Sequence, residues 1–337
     1  MITVENLTKS FPGKAEPVLA LREVNIEVGA GSLYGVVGPA GAGKSTLARC
    51  IALQEKPDRG TVRLDGLNVA GLDGRRLREV RRRVAVLDAQ QSLHAERTVA
   101  GNVAGPLEQL GVDGPQRRRQ VGRILDLAGL TQRAAQHPGE LTEGQRRRVA
   151  LGRALAGGPS VLLADDPTAG VDAEEAGAVL TALDRARAEL GVTVLLTTQD
   201  GAVVRRVCDG VGVLEDGRLL EHGTVLDLVA NPGSRTAQAL LPAIETPRAQ
   251  AALYDRAVDV VLIGFAAVGA LLPEAASRFD TELATIGGGL TRVGDTPVAH
   301  FRLGLRGRGA DAALAWIRER GAHLNPVAAL TRPVAAA

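Results

Sequence analysis

The chain has 337 residues, 45% of them hydrophobic, and sets 40 basic against 38 acidic residues for a formal charge of +2. That length and apolar content allow two domains with separate cores and exclude a disordered chain. The near-neutral balance gives no overall drive toward nucleic acid or an anionic membrane, so no nucleic-acid partner is expected. From the amino terminus, Ile2 to Leu7 alternates like a strand and lacks the basic and apolar regions of a secretory leader, so the chain is expected to stay in the cytoplasm. Further β-type runs follow at 24–28, 33–37, 61–64 and 84–87, punctuated by turn signals such as Asp65-Gly66.

Between the third and fourth runs lies Gly38-Pro39-Ala40-Gly41-Ala42-Gly43-Lys44-Ser45-Thr46, with helix-like sequence beginning at Leu47. A strand, a glycine-rich loop and a helix start in that order form a cradle for a triphosphate: backbone N–H groups turn inward and the helix dipole favours the anion. Lys44 would reach the terminal phosphates and Ser45 would hold Mg²⁺. A loop that merely turns is the plainer alternative, but lysine is scarce in this Arg-rich chain and one falls where a compact ammonium is needed. Cys50 and Cys208 lack metal-ligand spacing and read as small buried hydrophobes in a reducing compartment.

From about 90 to 155 the texture turns helical and Arg-rich, which predicts a helical insertion. The basic runs there, without interleaved aromatics, read as solvated helix faces. Strand character returns at 161–164, 192–197 and 211–214, with a helical spacer from Ala173 to Leu190. Strands alternating with helices imply a mainly parallel sheet. The strand at Val161 runs into Asp165-Asp166, and a strand-ending carboxylate opposite the loop serine suits Mg²⁺, although an Asp there could also cap the next helix. A first domain is therefore expected over 1–230 and a linker over 231–256. A small α+β unit with the βαββαβ order of a ferredoxin-like fold follows over 257–330. The longest apolar stretch, 260–272, is too short to cross a bilayer, so membrane association would have to come from a partner.

Leu141-Thr142-Glu143-Gly144-Gln145, upstream of the Asp pair, resembles the signature motif of ATP-binding cassette (ABC) transporter ATPases, and the order of motifs out to Gln199 is similar to that family's. The resemblance implies a fold of P-loop ABC ATPase type and two ATP molecules sandwiched between two subunits, the second expected to be identical. Residues 38–46 would take the phosphates, while Thr142, Glu143, Gly144 and Gln145 would face the ATP held by the other copy. Phe11 stands where the family places an aromatic that stacks on adenine, though a lone Phe after a strand is also an ordinary core anchor. ATP and Mg²⁺ are the implied cofactors, with Ser45 and Asp165 on the metal.

The carboxyl-terminal stretches Phe279-Asp-Thr-Glu, Ile286-Gly-Gly-Gly-Leu290 and Ala312 to Arg320 resemble the regulatory domain of methionine-importer ATPases. That implies an effector, methionine in the family, and an ATPase subunit energising uptake of methionine or a related amino acid. Its partners would be membrane permease subunits and, through them, an extracytoplasmic substrate-binding protein, with the ATPase peripheral on the cytoplasmic face of the membrane. Trp316 reads as core rather than ligand contact.

The chain departs from the family pattern at its catalytic positions. Asp166 replaces the Glu that serves as general base, and Gln199 replaces the switch His. The loop Gln that senses Mg²⁺ falls by spacing near Ala89, so Gln90 is its candidate. A carboxylate withdrawn by one methylene places its water poorly, so slow hydrolysis is expected. Two alternatives stay open: a nucleotide- and ligand-sensing regulatory protein with impaired hydrolysis, and an ABC ATPase for another substrate.

Overall fold

Strand alternation at the amino terminus builds a four-stranded antiparallel sheet rather than joining the parallel one. The computed structural model of the chain describes residues 1–13, 16–69, 72–87, 93–246 and 253–327. Strands β1 (Ile2–Phe11), β2 (Val18–Val28), β4 (Arg59–Leu64) and β5 (Leu67–Asn68) pair in the order β2-β1-β4-β5, and every pairing is antiparallel. Their inward residues, among them Ile2, Leu7, Val24 and Val62, pack with Leu47 and Ile51 of helix α1 (Lys44–Ile51) in one apolar cluster.

Strands β3 (Leu33–Val37), β6 (Val84–Leu87), β7 (Val161–Asp165), β8 (Thr193–Thr198), β9 (Gly210–Glu215) and β10 (Arg218–Thr224) form the second sheet, ordered β10-β9-β3-β8-β7-β6. The pairings from β9 through β6 are parallel. Strands β3 and β8 are buried along their whole length. That burial is why neither shows the apolar–polar alternation of a strand with one wet face. The register sets Thr197 beside Asp165 and Thr198 beside Val37, so the carboxyl ends of β3, β7 and β8 meet.

Between β6 and β7 the expected helical insertion carries α3 (Val99–Gln109), α4 (Gly114–Leu127) and α5 (Glu143–Ala156), after α2 (Gly74–Arg81). Val103, Leu107, Ile124, Leu125 and Val149 give the insertion its own core. Helix α6 (Ala173–Leu190) starts at Asp172, whose carboxylate accepts the Glu175 N–H at 2.9 Å, and ends at Gly191 in the left-handed conformation. Helix α7 (Gly201–Val207) links β8 to β9. Cys50 and Cys208 are buried free thiols, and burial pushes the Cys50 thiol up to about 11.

The first compact unit spans Met1–His222 and a second begins at Gly223. The second holds α8 (Val225–Val229) and α9 (Arg235–Leu240), the latter inside the stretch read as linker. The carbonyl of Pro242, also in that stretch, lies 2.9 Å from Nδ1 of the buried His300. Then come β11 (Arg256–Ile263), α10 (Phe265–Val268), α11 (Leu271–Arg278), β12 (Glu282–Val293), β13 (Thr296–Arg306), α12 (Ala310–Glu319) and β14 (His323–Pro326). The sheet order β12-β13-β11-β14 is wholly antiparallel, with Val260, Leu303, Ala313 and Ile317 in the core between sheet and helices. Trp316 packs edge-on to Phe279 at 6.2 Å, with the Arg320 guanidinium 3.8 Å above its ring. Among the described residues no helix is long and apolar enough to cross a membrane.

Candidate functional site

The loop from Gly38 to Gly43 leaves β3 and enters α1 directly. Its path leaves no room for side chains at either end. A Cβ at Gly38 would lie 2.0 Å from the Leu214 carbonyl oxygen, and Gly43, at φ 103°, would bring one to 2.4 Å from the Ala20 carbonyl oxygen. Lys44 opens α1 and is 9% exposed, its Nζ donating to the carbonyls of Gly38 and Pro39 at 2.8 Å each. Burial lowers the ammonium's pKa, and the carboxylates of Asp166 and Asp165 oppose that shift. A helix start leaves backbone N–H groups without intrahelical partners, and the first turn of α1, Lys44 to Thr46, lines the cleft described below.

Two carboxylates face the loop. Asp165 ends β7 and accepts a short hydrogen bond from the Thr197 hydroxyl at the neighbouring end of β8. Asp166 follows at φ 49°, a left-handed conformation fixed by its N–H, which donates to the Thr197 carbonyl at 2.9 Å. The Thr198 hydroxyl donates to Asp166 Oδ1 at 3.3 Å. Burial raises the Asp166 pKa and Asp165 adds to the rise, while the Thr198 hydrogen bond, Lys44 and Arg147 pull it down. A carboxyl so placed is a stronger base than a surface aspartate.

These groups line one cleft of about 750 Å³, with Ala40, Gly41, Gly43, Lys44, Ser45 and Thr46 on one side and Asp165, Asp166 and Gln199 on the other. Ser45 and Asp165 offer hard oxygen donors in the same cleft, the ligand chemistry that suits Mg²⁺. Gln199 is exposed at the end of β8. Phe11 is not among the lining residues: it closes β1 opposite Val18, and the Lys9 ammonium sits 5.1 Å from its ring centroid. Gln90 lies outside the described residues.

Thr142, Glu143, Gly144 and Gln145 stand apart from the cleft at the start of α5. The Thr142 hydroxyl accepts the Gln145 N–H at 3.2 Å and the Gln145 side chain accepts the Thr142 N–H at 3.1 Å, a reciprocal cap. Glu143 pairs with Arg146 at 2.8 Å and with the buried Arg147 at 3.3 Å. Arg147 in turn reaches the carbonyl of Ala169, whose N–H bonds the Asp166 carbonyl at 3.1 Å. The sequence reading passed over Thr197, Thr198, Arg147 and Glu175. The two threonines ending a strand beside the Asp strand were a usable sign, whereas nothing local marks Arg147 or Glu175.

The description "ABC transporter" fits residues 21–169 as a family, and "NIL domain" fits 256–325. The chain is 38% identical over 97% of its length to all of a methionine import ATP-binding protein of Thermobifida fusca. It is 40% identical over 97% of its length to a protein of the same name from Myxococcus xanthus, covering 99% of that protein. Among solved structures, a dimeric ATP-binding cassette in a post-hydrolysis state, bound to ADP and Pi, superposes on 66% of this chain and 98% of its own, with a TM-score of 0.60 and 31% identity.

Proposed function

Because the chain belongs to the methionine-import ATP-binding protein family of ABC transporter ATPases, we propose that it binds and slowly hydrolyses ATP to drive uptake of methionine or a related amino acid. The observation that carries this reading is the convergence of Lys44, Ser45, Asp165, Asp166 and Gln199 on one cleft at the carboxyl ends of β3, β7 and β8. The loop 38–46 takes the phosphates. Ser45 and Asp165 hold Mg²⁺, which when bound neutralises charge on the phosphate oxygens.

Asp166 accepts a proton from the attacking water as the water oxygen bonds the γ-phosphorus in line with the breaking bond to the β–γ bridging oxygen, so that phosphate forms and ADP leaves. Its hydrogen bonds to the Thr197 carbonyl and the Thr198 hydroxyl hold it at the end of the strand. Gln199 orients that water but, unlike a histidine, takes up no charge. Lys44 balances charge on the phosphates. Adenine stacking on Phe11, and metal sensing by Gln90, complete the reading of the nucleotide site.

Thr142, Glu143, Gly144 and Gln145 contact ATP held by a second, identical subunit. The insertion docks on membrane permease subunits, which receive substrate from an extracytoplasmic binding protein, and the ATPase sits at the cytoplasmic face. We take residues 1–230 as the ATPase domain, 231–256 as linker and 257–330 as an effector-binding domain that senses methionine. The test is binding of a fluorescent ATP analogue to the full chain. Wild type is expected to bind with Mg²⁺ and Lys44→Ala to lose binding by at least about a hundredfold. Equal binding by both would refute the nucleotide site.

A further inference from the structure

Resting on the reading that the start of α5 faces a nucleotide held by a second copy, we propose that Glu175 is a gate on that motif: its carboxylate occupies the Thr142 hydroxyl and sets a negative charge where the second copy's triphosphate must be gripped. The Thr142 hydroxyl lies 2.6 Å from both Glu175 Oε1 and Oε2. A hydroxyl has one proton and two lone pairs. Here one lone pair takes the Gln145 N–H, and the proton is shared by the two carboxylate oxygens. To bond a phosphate oxygen, Thr142 has to turn that proton away from Glu175 and give up a charge-assisted bond.

The carboxylate is held in place rather than dangling. Glu175 lies in the first turn of α6, where its own N–H is fixed by the Asp172 cap at 2.9 Å. It also presses on the glycine of the motif: a Cβ at Gly144 would come within 2.2 Å of Glu175 Oε2 and 2.6 Å of its Cβ. Gly144 is thus the seat of this side chain, and the carboxylate covers the first turn of α5, where an anion is favoured. Glu143, the other acid of that turn, is paired with Arg146 and Arg147. A triphosphate approaching α5 meets both a hydroxyl already bonded and a like charge, so closure of two copies requires Glu175 to move aside.

The experiment uses the full chain carrying Asp166→Asn, to suppress turnover, and compares Glu175 with Glu175→Gln and Glu175→Thr. Sedimentation velocity measures the Mg-ATP concentration at half-maximal dimer. Both variants are expected to dimerise at about tenfold less ATP at low salt, the scale of one charge-assisted hydrogen bond. The gap should shrink as salt is raised, because added ions screen repulsion between charges. A purely structural role for Glu175 would not produce that salt dependence. Thermal midpoints and Lys44-dependent ATP binding of the monomer report whether each variant is folded. Dimerisation of both folded variants at the wild-type ATP concentration, or at a higher one, overturns the gate while leaving the nucleotide reading standing. If ATP binds but no form dimerises, the facing of α5 toward a second nucleotide is wrong and the gate falls with it. Failure of every form to bind ATP would instead overturn the proposed function itself.

Discussion

At position 166 an aspartate lines the cleft in a left-handed conformation, held by the Thr197 carbonyl and the Thr198 hydroxyl. Its backbone is pinned, so the missing methylene is not regained by sliding the chain forward. We expect Asp166→Glu to raise steady-state ATP turnover by at least about tenfold, and Gln199→His to raise it further when the two are combined, since an ångström of misplacement costs on the order of 10²-fold. Wild-type turnover already at importer rates and unimproved by either change would refute slow hydrolysis. Burial holds the Asp166 proton to a higher pH than the ordinary aspartate value of 3.8, and only the ionised form accepts a proton from water. Turnover should therefore rise with pH along an acid limb lying above that value. Thr198→Val removes a donor that pulls the pKa down, so its limb should move higher still in a pH–rate profile. By linkage, the shift favours the folded state while Asp166 is protonated, and that contribution is lost as pH rises through the raised value.

At the scale of elements, the buried strands β3, β7 and β8 were legible because continuous apolar runs bounded by turns have few other readings. The antiparallel sheet around β1 was not. Its strands have the same alternation whichever sheet they join, and partner choice is settled by distant residues such as Val62 and Leu64 of β4. The insertion depends on a polar staple that its sequence does not advertise. Asn102 is fully buried, accepts the His94 N–H at 2.8 Å and donates to the carbonyls of His94, Arg97 and Thr98. Asn102→Ala strips the side-chain partner from the His94 N–H and the Arg97 carbonyl, while the His94 and Thr98 carbonyls keep the Arg97 and Asn102 N–H groups, and it is expected to cost about 2–4 kcal/mol. A lowered thermal midpoint with unchanged Lys44-dependent ATP binding would place the damage in the insertion; an unchanged midpoint would refute the staple.

For the whole molecule, two compact units separate nucleotide chemistry from the ferredoxin-like sheet. The proposed effector role of the second unit is tested by calorimetry on the full chain against a panel of amino acids. Methionine is expected to give saturable heat and lysine none; no heat with methionine would remove the effector assignment. The βαββαβ order in this unit was readable because the strand-like runs at β11, β12 and β13 and the helix-like runs at α11 and α12 are set apart by turn signals such as Gly294-Asp295. The stretch before it reads as linker by composition. Helix α9 and the Pro242 carbonyl against His300 show that polar and proline-containing sequence is ordered when a neighbouring surface accepts it.

Local chemistry determined the phosphate loop, the strand-ending aspartates, the capped start of α5 and the family they belong to, because each depends on a few residues adjacent in the chain and needs no distant partner. Tertiary structure alone decided which strands became neighbours and hence that Thr197 and Thr198 hold the two aspartates. It also decided that Glu175, from another helix, closes on Thr142 and Gly144. Such contacts are set by sheet register and helix packing between segments far apart in sequence, where hydrophobic pattern fixes a face but not the polar group that meets it.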